Sequence, residues 1–267
     1  MATIFFLFTA LLSLPNPARQ TAPPIRAFPT SVGLVIIAAT PEGIAIGADG
    51  ASYNADGTLS QEEKLFAIGK TGAVAIAGTV SIQDQVSRPV REEVNIARIA
   101  AAWLAAHSDA TLDDADKAIN EAVTQATTRY FSTRAPGAVA KNYKFTLIFT
   151  GMANGKAVVH ATRYYMPSAK GQPMRTEAVL GDAKPGEFWI FGQSQIAQAI
   201  LGNPSSFEPF SAETPIKQLR SGQATDVTVQ DYLNVIDVLL RATESSQAKK
   251  KFGKLAVGGP NKLIALK

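Results

Sequence analysis

Short apolar runs typical of strands occupy much of the stretch from residue 32 to residue 77. Residues 32–39 and 44–47 are two such runs on either side of the turn Thr40-Pro41-Glu42-Gly43, which predicts a β-hairpin. Residues 64–68 and 73–77 add two further runs with a glycine turn between them. Because both faces of these runs are apolar, we expect the strands to belong to a sheet that is buried on both sides.

Helix-like stripes follow, then more strands. Residues 87–106 carry apolar side chains at helical spacing, and residues 111–114 resemble a capping box that opens a second helix. Residues 145–149 and 157–165 predict a hairpin that turns at Asn154-Gly155. The remaining predictions are strands at 176–180, 187–191 and 262–266 and helices at 194–201 and 228–245. This order of elements predicts an α+β sheet sandwich with helices on its outer faces.

The N-terminal region has a different character from the rest of the chain. The apolar run at residues 4–14 is about half of the ~20 residues needed to cross a bilayer, so it is typical of a secretory signal and not of a stable membrane span. We expect residues 1–22 to be a signal peptide, 23–29 a proline-rich extended leader and 30–267 the folded domain of an exported, periplasmic or extracellular, protein. The alternative is that the run is a buried N-terminal segment.

Composition excludes several classes of protein. The 267 residues include no cysteine and only two histidines, His107 and His160, so we expect no disulfide, no zinc site and no cofactor. The net charge of +4 is not concentrated in a long basic block, and we expect no nucleic-acid partner.

The stretch from residue 30 to residue 78 carries the most specific pattern. Its motifs, in order, are Thr30-Ser31-Val32-Gly33, Gly47-Ala48-Asp49-Gly50, Glu63-Lys64-Leu65-Phe66 and Ile76-Ala77-Gly78. In this order and spacing they resemble the N-terminal half of a proteasome β-type subunit, and weaker similarity covers most of the chain after Thr30. The resemblance implies a four-layer αββα sandwich and an N-terminal-nucleophile (Ntn) hydrolase that forms a homo-oligomer around an enclosed cavity.

The resemblance also implies a role for individual residues. Thr30 would be the nucleophile, Lys64 would place a positive charge beside it, and Asp49 would keep Lys64 charged and oriented. The backbone N–H of Gly78 would donate to the oxyanion. Because the free α-amino group of the threonine acts as the base, the chain would have to be cleaved before Thr30.

The register of the first hairpin decides which hydroxyl could meet Asp49. A four-residue loop places Asp49 opposite Leu34 and leaves Thr30 on the face of Asp49, but about 13 Å away along a straight strand. A five-residue loop turns Ser31 towards that face instead. We therefore carry both Thr30 and Ser31 as candidate hydroxyls.

Two departures from the family pattern leave three functions open. Pro29 precedes the predicted nucleophile where the family has glycine, and Lys254 and Val257 stand where the family has an Asp and a Ser. The chain is therefore either a threonine-type endopeptidase that acts on peptides or proteins, or an inactive subunit of the same fold with an uncleaved leader. The third alternative is a secreted serine hydrolase using Ser194, whose other interpretation is a helix cap.

Overall fold

The computed structural model describes residues 22–29, 32–53, 59–84, 91–133, 144–203, 205, 207–220, 227–245, 248–249 and 257–267. The predicted signal peptide lies outside this set except for Ala22. The strands are β1 (Ile25–Pro29), β2 (Leu34–Ala39), β3 (Ile44–Ala48), β4 (Ala51–Tyr53), β5 (Leu59–Gln61), β6 (Leu65–Ile68), β7 (Gly72–Gly78), β8 (Ser81–Asp84), β9 (Arg91–Asn95), β10 (Lys144–Ala153), β11 (Lys156–Tyr165), β12 (Arg175–Ala183), β13 (Phe188–Gly192) and β14 (Lys262–Leu266). The α-helices are α1 (Ile96–Ala106), α2 (Leu112–Thr133), α3 (Gln195–Gly202), α4 (Thr214–Arg220) and α5 (Val229–Glu244).

Two five-stranded sheets form the centre of the molecule. The first sheet has the order β1-β13-β2-β3-β14, and the second has the order β12-β11-β10-β7-β6. Every pairing in the two sheets is antiparallel except β1 with β13, which is parallel. The pairs β4-β5 and β8-β9 form two small separate ribbons.

Three apolar clusters define four layers. One cluster fills the space between the sheets, with alternate residues of β2 and β7 facing each other across it. A second packs the outer face of the first sheet against α3, α4 and α5, and a third packs the outer face of the second sheet against α1 and α2. The predicted four-layer αββα sandwich of the α+β class is therefore confirmed. Because each sheet is covered on both faces, β2, β3 and β7 are buried along their whole length, as the apolar runs predicted.

The chain enters the first sheet before Thr30. All five residues of β1 pair with β13, and Phe28 stacks on Trp189 and Phe191 with ring centroids 5.7 Å and 4.7 Å apart. This corrects the expectation that the fold starts near Thr30. The prolines predict extended backbone in this segment. The strand that pairs with the segment lies far along the chain, so no nearby residue indicates the pairing.

Arg26 and Glu187 hold β1 against its neighbour. The Arg26 Nε donates to Glu187 Oε1 at 2.6 Å, and the guanidinium lies 4.7 Å from the centre of the Trp189 ring. The buried Glu187 also accepts hydrogen bonds of 3.1 Å from the Lys184 amide and from Trp189 Nε1. Burial raises the pKa of Glu187, but the three hydrogen bonds outweigh burial and hold its pKa below the ordinary value.

Two helices differ from the prediction. The helix expected over residues 87–106 begins at Ile96, because the side chain of Asn95 accepts from the Arg98 amide at 2.8 Å and caps it there. Residues 91–95 pair with β8 instead, and residues 85–90 lie outside the described set. The short helix α4 was not predicted at all. No helix in the described part of the chain is long and apolar enough to span a membrane.

Candidate functional site

A buried ion pair joins the ends of two strands. Asp49 follows β3 and Lys64 precedes β6, and both side chains are 0% exposed. The Lys64 Nζ lies 3.3 Å and 3.4 Å from the two carboxylate oxygens of Asp49, and it also donates to the carbonyl oxygen of Ala51. The two residues that the sequence assigned to one site are therefore brought together.

Backbone amides support the carboxylate from three directions. Asp49 Oδ1 accepts from the Leu34 amide at 2.7 Å, and Oδ2 accepts from the amides of Ala51 at 3.2 Å and Gly258 at 3.4 Å. The contact with Gly258 joins the C-terminal region to the site. Of the two residues that stand where the family has an Asp and a Ser, Lys254 lies outside the described residues and Val257 is buried. The amide of Gly258, next to Val257, supplies a donor to Asp49.

Burial and mutual attraction act in opposite directions on this pair. Burial raises the pKa of the Asp49 carboxyl, and the Lys64 charge acts against this rise. Burial likewise lowers the pKa of the Lys64 ammonium, and the Asp49 charge acts against that fall. Each group therefore depends on the other to stay ionised in the interior.

Residue 33 is the point on which the predicted catalytic groups converge. An atom at its Cβ position would lie 3.1 Å from Lys64 Nζ, 3.2 Å from the amide nitrogen of Gly78 and 3.3 Å from Asp49 Oδ1. A nucleophilic side chain at this place would have a basic group, a carboxylate and an oxyanion donor around it. The residue is glycine, so the position carries no side chain.

The backbone at Gly33 is fixed by its neighbours. Its φ is +72°, in the left-handed region that favours glycine. Its carbonyl accepts from the Gln193 amide at 2.9 Å, and the following residue, Leu34, is the one whose amide bonds to Asp49. Pro29 and Leu34 both pair with Gly192, from opposite sides. The chain is therefore held by hydrogen bonds on both sides of residue 33.

The predicted four-residue loop and register of the first hairpin are confirmed. Ala39 pairs with Ile44, and the Asp49 amide donates to Leu34 O at 3.0 Å. The strand β2 begins only at Leu34, so the straight strand assumed upstream is not present at Gly33. The candidate hydroxyls Thr30 and Ser31 lie outside the described residues, and their assignment stays a prediction.

Sequence reasoning did not identify Gly33 as the central position. The signal was present in the confirmed register, because residue 33 comes directly before the residue opposite Asp49. Because glycine carries no reactive side chain, residue 33 does not stand out in the sequence as part of a site.

Ser194 does not have the surroundings of a nucleophile. It occupies the N-cap position of α3, yet its side chain makes no capping hydrogen bond, contrary to that interpretation. Its Oγ instead accepts from Gln198 Nε2 at 2.7 Å. Both histidines belong to the other side of the sandwich: His107 follows α1, and His160 on β11 lies 3.2 Å from Asp116. The described residues contain no cluster of three or more His, Asp or Glu side chains that could hold a metal.

Comparisons with known proteins find similarity to solved structures only. No protein-family model matches the chain, and no curated protein does. Among solved structures, Anbu (ancestral beta-subunit) from Yersinia bercovieri is 14% identical over 87% of this chain and 80% of its own, with a TM-score of 0.49. The Anbu complex from Pseudomonas aeruginosa, described as a helical assembly, is 16% identical over 87% and 80%, with a TM-score of 0.49. Anbu from Hyphomicrobium sp. strain MC1 is 14% identical over 88% and 82%, with a TM-score of 0.45. Because these TM-scores are below 0.5, the assignment of the fold rests on the four layers themselves.

Proposed function

We propose that this chain is a non-catalytic protein of the proteasome-type Ntn fold, which acts as a binding or structural subunit. The observation that carries the proposal is Gly33. Lys64, Asp49 and the Gly78 amide surround the position of a nucleophile, and the residue there has no side chain. As long as the chain is intact, its nitrogen belongs to the peptide bond to Val32 and cannot act as the free base of an Ntn hydrolase.

The placement of β1 supports an uncleaved leader. Five residues of the leader pair with β13, Phe28 stacks on two aromatic rings, and Arg26 bonds to the buried Glu187. Removal of this strand would expose apolar surface of β13 and leave Glu187 without a charged partner. These contacts therefore favour a leader that stays attached.

The competing candidate is a threonine peptidase matured at Thr30. The buried pair of Asp49 and Lys64 and the position of the Gly78 amide favour it, because these groups match the roles that the family resemblance implies. In this case the freed amine of Thr30 would take the proton from its own hydroxyl, with Ser31 as the alternative hydroxyl. Peptides or proteins would be the substrates.

The N-terminus and the activity of the full-length protein test the two candidates together. We would express the chain with its natural N-terminus, determine the intact mass, and assay hydrolysis of a panel of fluorogenic peptides. We expect Pro29 to remain attached to Thr30 and no hydrolysis above that of a Lys64→Met variant. An N-terminus at Thr30, together with activity that Thr30→Ala abolishes, would replace our proposal with the peptidase.

The same experiment examines the remaining candidates. Loss of residues 1–22 from material secreted by the expression host would support the predicted export. Hydrolysis abolished by Ser194→Ala but not by Thr30→Ala would support the serine hydrolase. We also propose a homo-oligomer, which light scattering coupled to size-exclusion chromatography measures directly.

A further inference from the structure

A row of four directly opposed residues, three of them polar, crosses the second sheet beside the candidate site. The register places Ala77 opposite Thr146, Thr146 opposite Arg163, and Arg163 opposite Glu177. These residues share the inner face of the sheet, because Ala77 belongs to the cluster between the two sheets. Since Ala77 directly precedes Gly78, the row lies next to the amide nitrogen that is close to residue 33.

Two polar atoms of this row have no hydrogen-bond partner among the described residues. They are the hydroxyl oxygen of Thr146, whose residue is 0% exposed, and the Nε of Arg163. The Nη1 of Arg163 lies 3.5 Å from Glu177 Oε2, so only part of the guanidinium is engaged. Buried polar groups are almost always paired, and an unpaired group reduces stability unless a water or a ligand satisfies it.

Both unpaired groups can donate a hydrogen bond. The Arg163 Nε–H can only donate, and the Thr146 hydroxyl is free to donate. Thr146 and Arg163 are directly opposed across β10 and β11, and an arginine N–H together with a hydroxyl is a suitable site for a carboxylate, which accepts several hydrogen bonds in one plane. The Arg163 side chain is 16% exposed and that of Glu177 is 48% exposed, so the row opens towards solvent at the Glu177 end.

We propose that Thr146 and Arg163 form a subsite that binds the carboxylate of a ligand at the end of the space between the two sheets. The inference rests on the proposed non-catalytic binding function, for which it names the ligand class. The carboxylate can belong to a peptide C-terminus or to a small free acid. Both sources would use the same two donors.

A pair of threonines on one strand gives a matched test. Thr146 and Thr150 lie on the same face of β10 and are both 0% exposed, but the Thr150 hydroxyl donates to Val158 O at 2.8 Å. Thr146→Val removes an unsatisfied hydroxyl, so we expect a higher unfolding temperature together with at least tenfold weaker binding of the carboxylate. Thr150→Val removes a satisfied hydroxyl, so we expect a lower unfolding temperature and unchanged binding.

Calorimetric titration of the full-length protein measures the binding. The probes are an N-acetylated dipeptide with a free C-terminus, the same dipeptide as its C-terminal amide, and acetate. We expect the free acid to bind and the amide to bind at least tenfold more weakly. Binding of acetate with similar affinity identifies a small acid as the ligand, whereas binding of the peptide acid alone identifies a peptide C-terminus.

A second variant keeps the test independent of Thr146. Arg163→Lys retains a positive charge but lacks the Nε–H, and we expect it to weaken binding of the free acid at least tenfold. Equal binding of acid and amide, or unchanged binding by Thr146→Val and Arg163→Lys, would overturn the proposal and leave a bridging water as the partner of these groups. Peptidase activity would overturn the proposed non-catalytic function, and the titrations would then still decide separately whether Thr146 and Arg163 bind a carboxylate.

Discussion

Replacement of Lys64 by methionine tests the buried ion pair most directly. The substitution keeps a long unbranched side chain but removes the ammonium that lies 3.3 Å from Asp49 Oδ1. It leaves the Asp49 carboxylate buried without a countercharge and the Ala51 carbonyl without its donor. Breaking one side of a buried pair in this way costs about 3–5 kcal/mol.

The backbone around Asp49 sets the magnitude within that range. The carboxylate keeps its hydrogen bonds from the amides of Leu34, Ala51 and Gly258, so we expect the free energy of unfolding to fall by about 3 kcal/mol, the lower end of the range. In a chain of this length, each kcal/mol lowers the unfolding temperature by roughly 2–4 °C, so the shift should be about 6–12 °C. Urea unfolding followed by circular dichroism at pH 7 measures the free energy, and a thermal scan measures the shift.

The pH dependence provides an independent check. In Lys64→Met, burial raises the pKa of Asp49 and no ammonium opposes it, so the folded-state pKa lies above that of the unfolded chain. The penalty is therefore present above the folded-state pKa and decreases as the pH falls through it. We expect the deficit relative to wild type to be smaller at pH 5 than at pH 7.

The double variant Asp49→Asn/Lys64→Met completes the test. A neutral amide at position 49 needs no countercharge, so we expect the double variant to recover part of the stability lost in the single variant. The reasoning would be refuted if Lys64→Met unfolded within about 1 kcal/mol of wild type at pH 7, or if its deficit grew on acidification.

Two further predictions concern β1 and Gly33. The pKa of Glu187 is held below its ordinary value, so its contribution to anchoring β1 is complete above about pH 4.5 and is lost as the pH falls through the lowered value. We expect hydrogen exchange of the β1 amides, corrected for intrinsic rates, to be faster at pH 3 than at pH 7. Glu187→Gln weakens the contact with Arg26, so we expect a smaller difference between the two pH values in this variant. An unchanged pH response in the variant would contradict the assignment. Gly33→Ala and Gly155→Ala place a side chain at almost the same φ, +72° and +73°, but only residue 33 has neighbours within 4 Å. In urea unfolding, we expect Gly155→Ala to lower the free energy of unfolding by about 1 kcal/mol. Gly33→Ala should lower it clearly more, because the new methyl group also crowds Lys64. Equal losses of stability would show that the site has room for a side chain.

Local signals account for much of what the sequence predicts correctly. Thr228 and Asp231 form the reciprocal hydrogen bonds of a capping box at the start of α5, at the predicted position. Asn154 and Gly155 adopt the positive φ values that a tight hairpin requires. Such features depend on residues within a few positions of one another, so the sequence displays them directly.

Long-range features were harder to predict. The pairing of β1 with β13 joins segments more than 150 residues apart, and nothing near residues 25–29 indicates a partner. The sequence brought Asp49, Lys64 and Gly78 together only through a resemblance of motif order. The predicted register places residue 33 next to the residue opposite Asp49, but the proximity of residue 33 to Lys64 and Gly78 depends on how the two sheets stack.

The geometry at Gly33 gives the buried Asp–Lys pair a structural role. A β-branched residue such as threonine rarely adopts a φ of +72°. The backbone at residue 33 is therefore suited to glycine, and a single substitution to threonine would not fit it. Asp49 accepts a hydrogen bond from the amide of Leu34, directly after this left-handed residue, and the Lys64 charge opposes the rise that burial causes in the pKa of Asp49. The pair thus stabilises the start of β2 whether or not a reaction takes place. The presence of the pair is therefore weak evidence for a hydrolase.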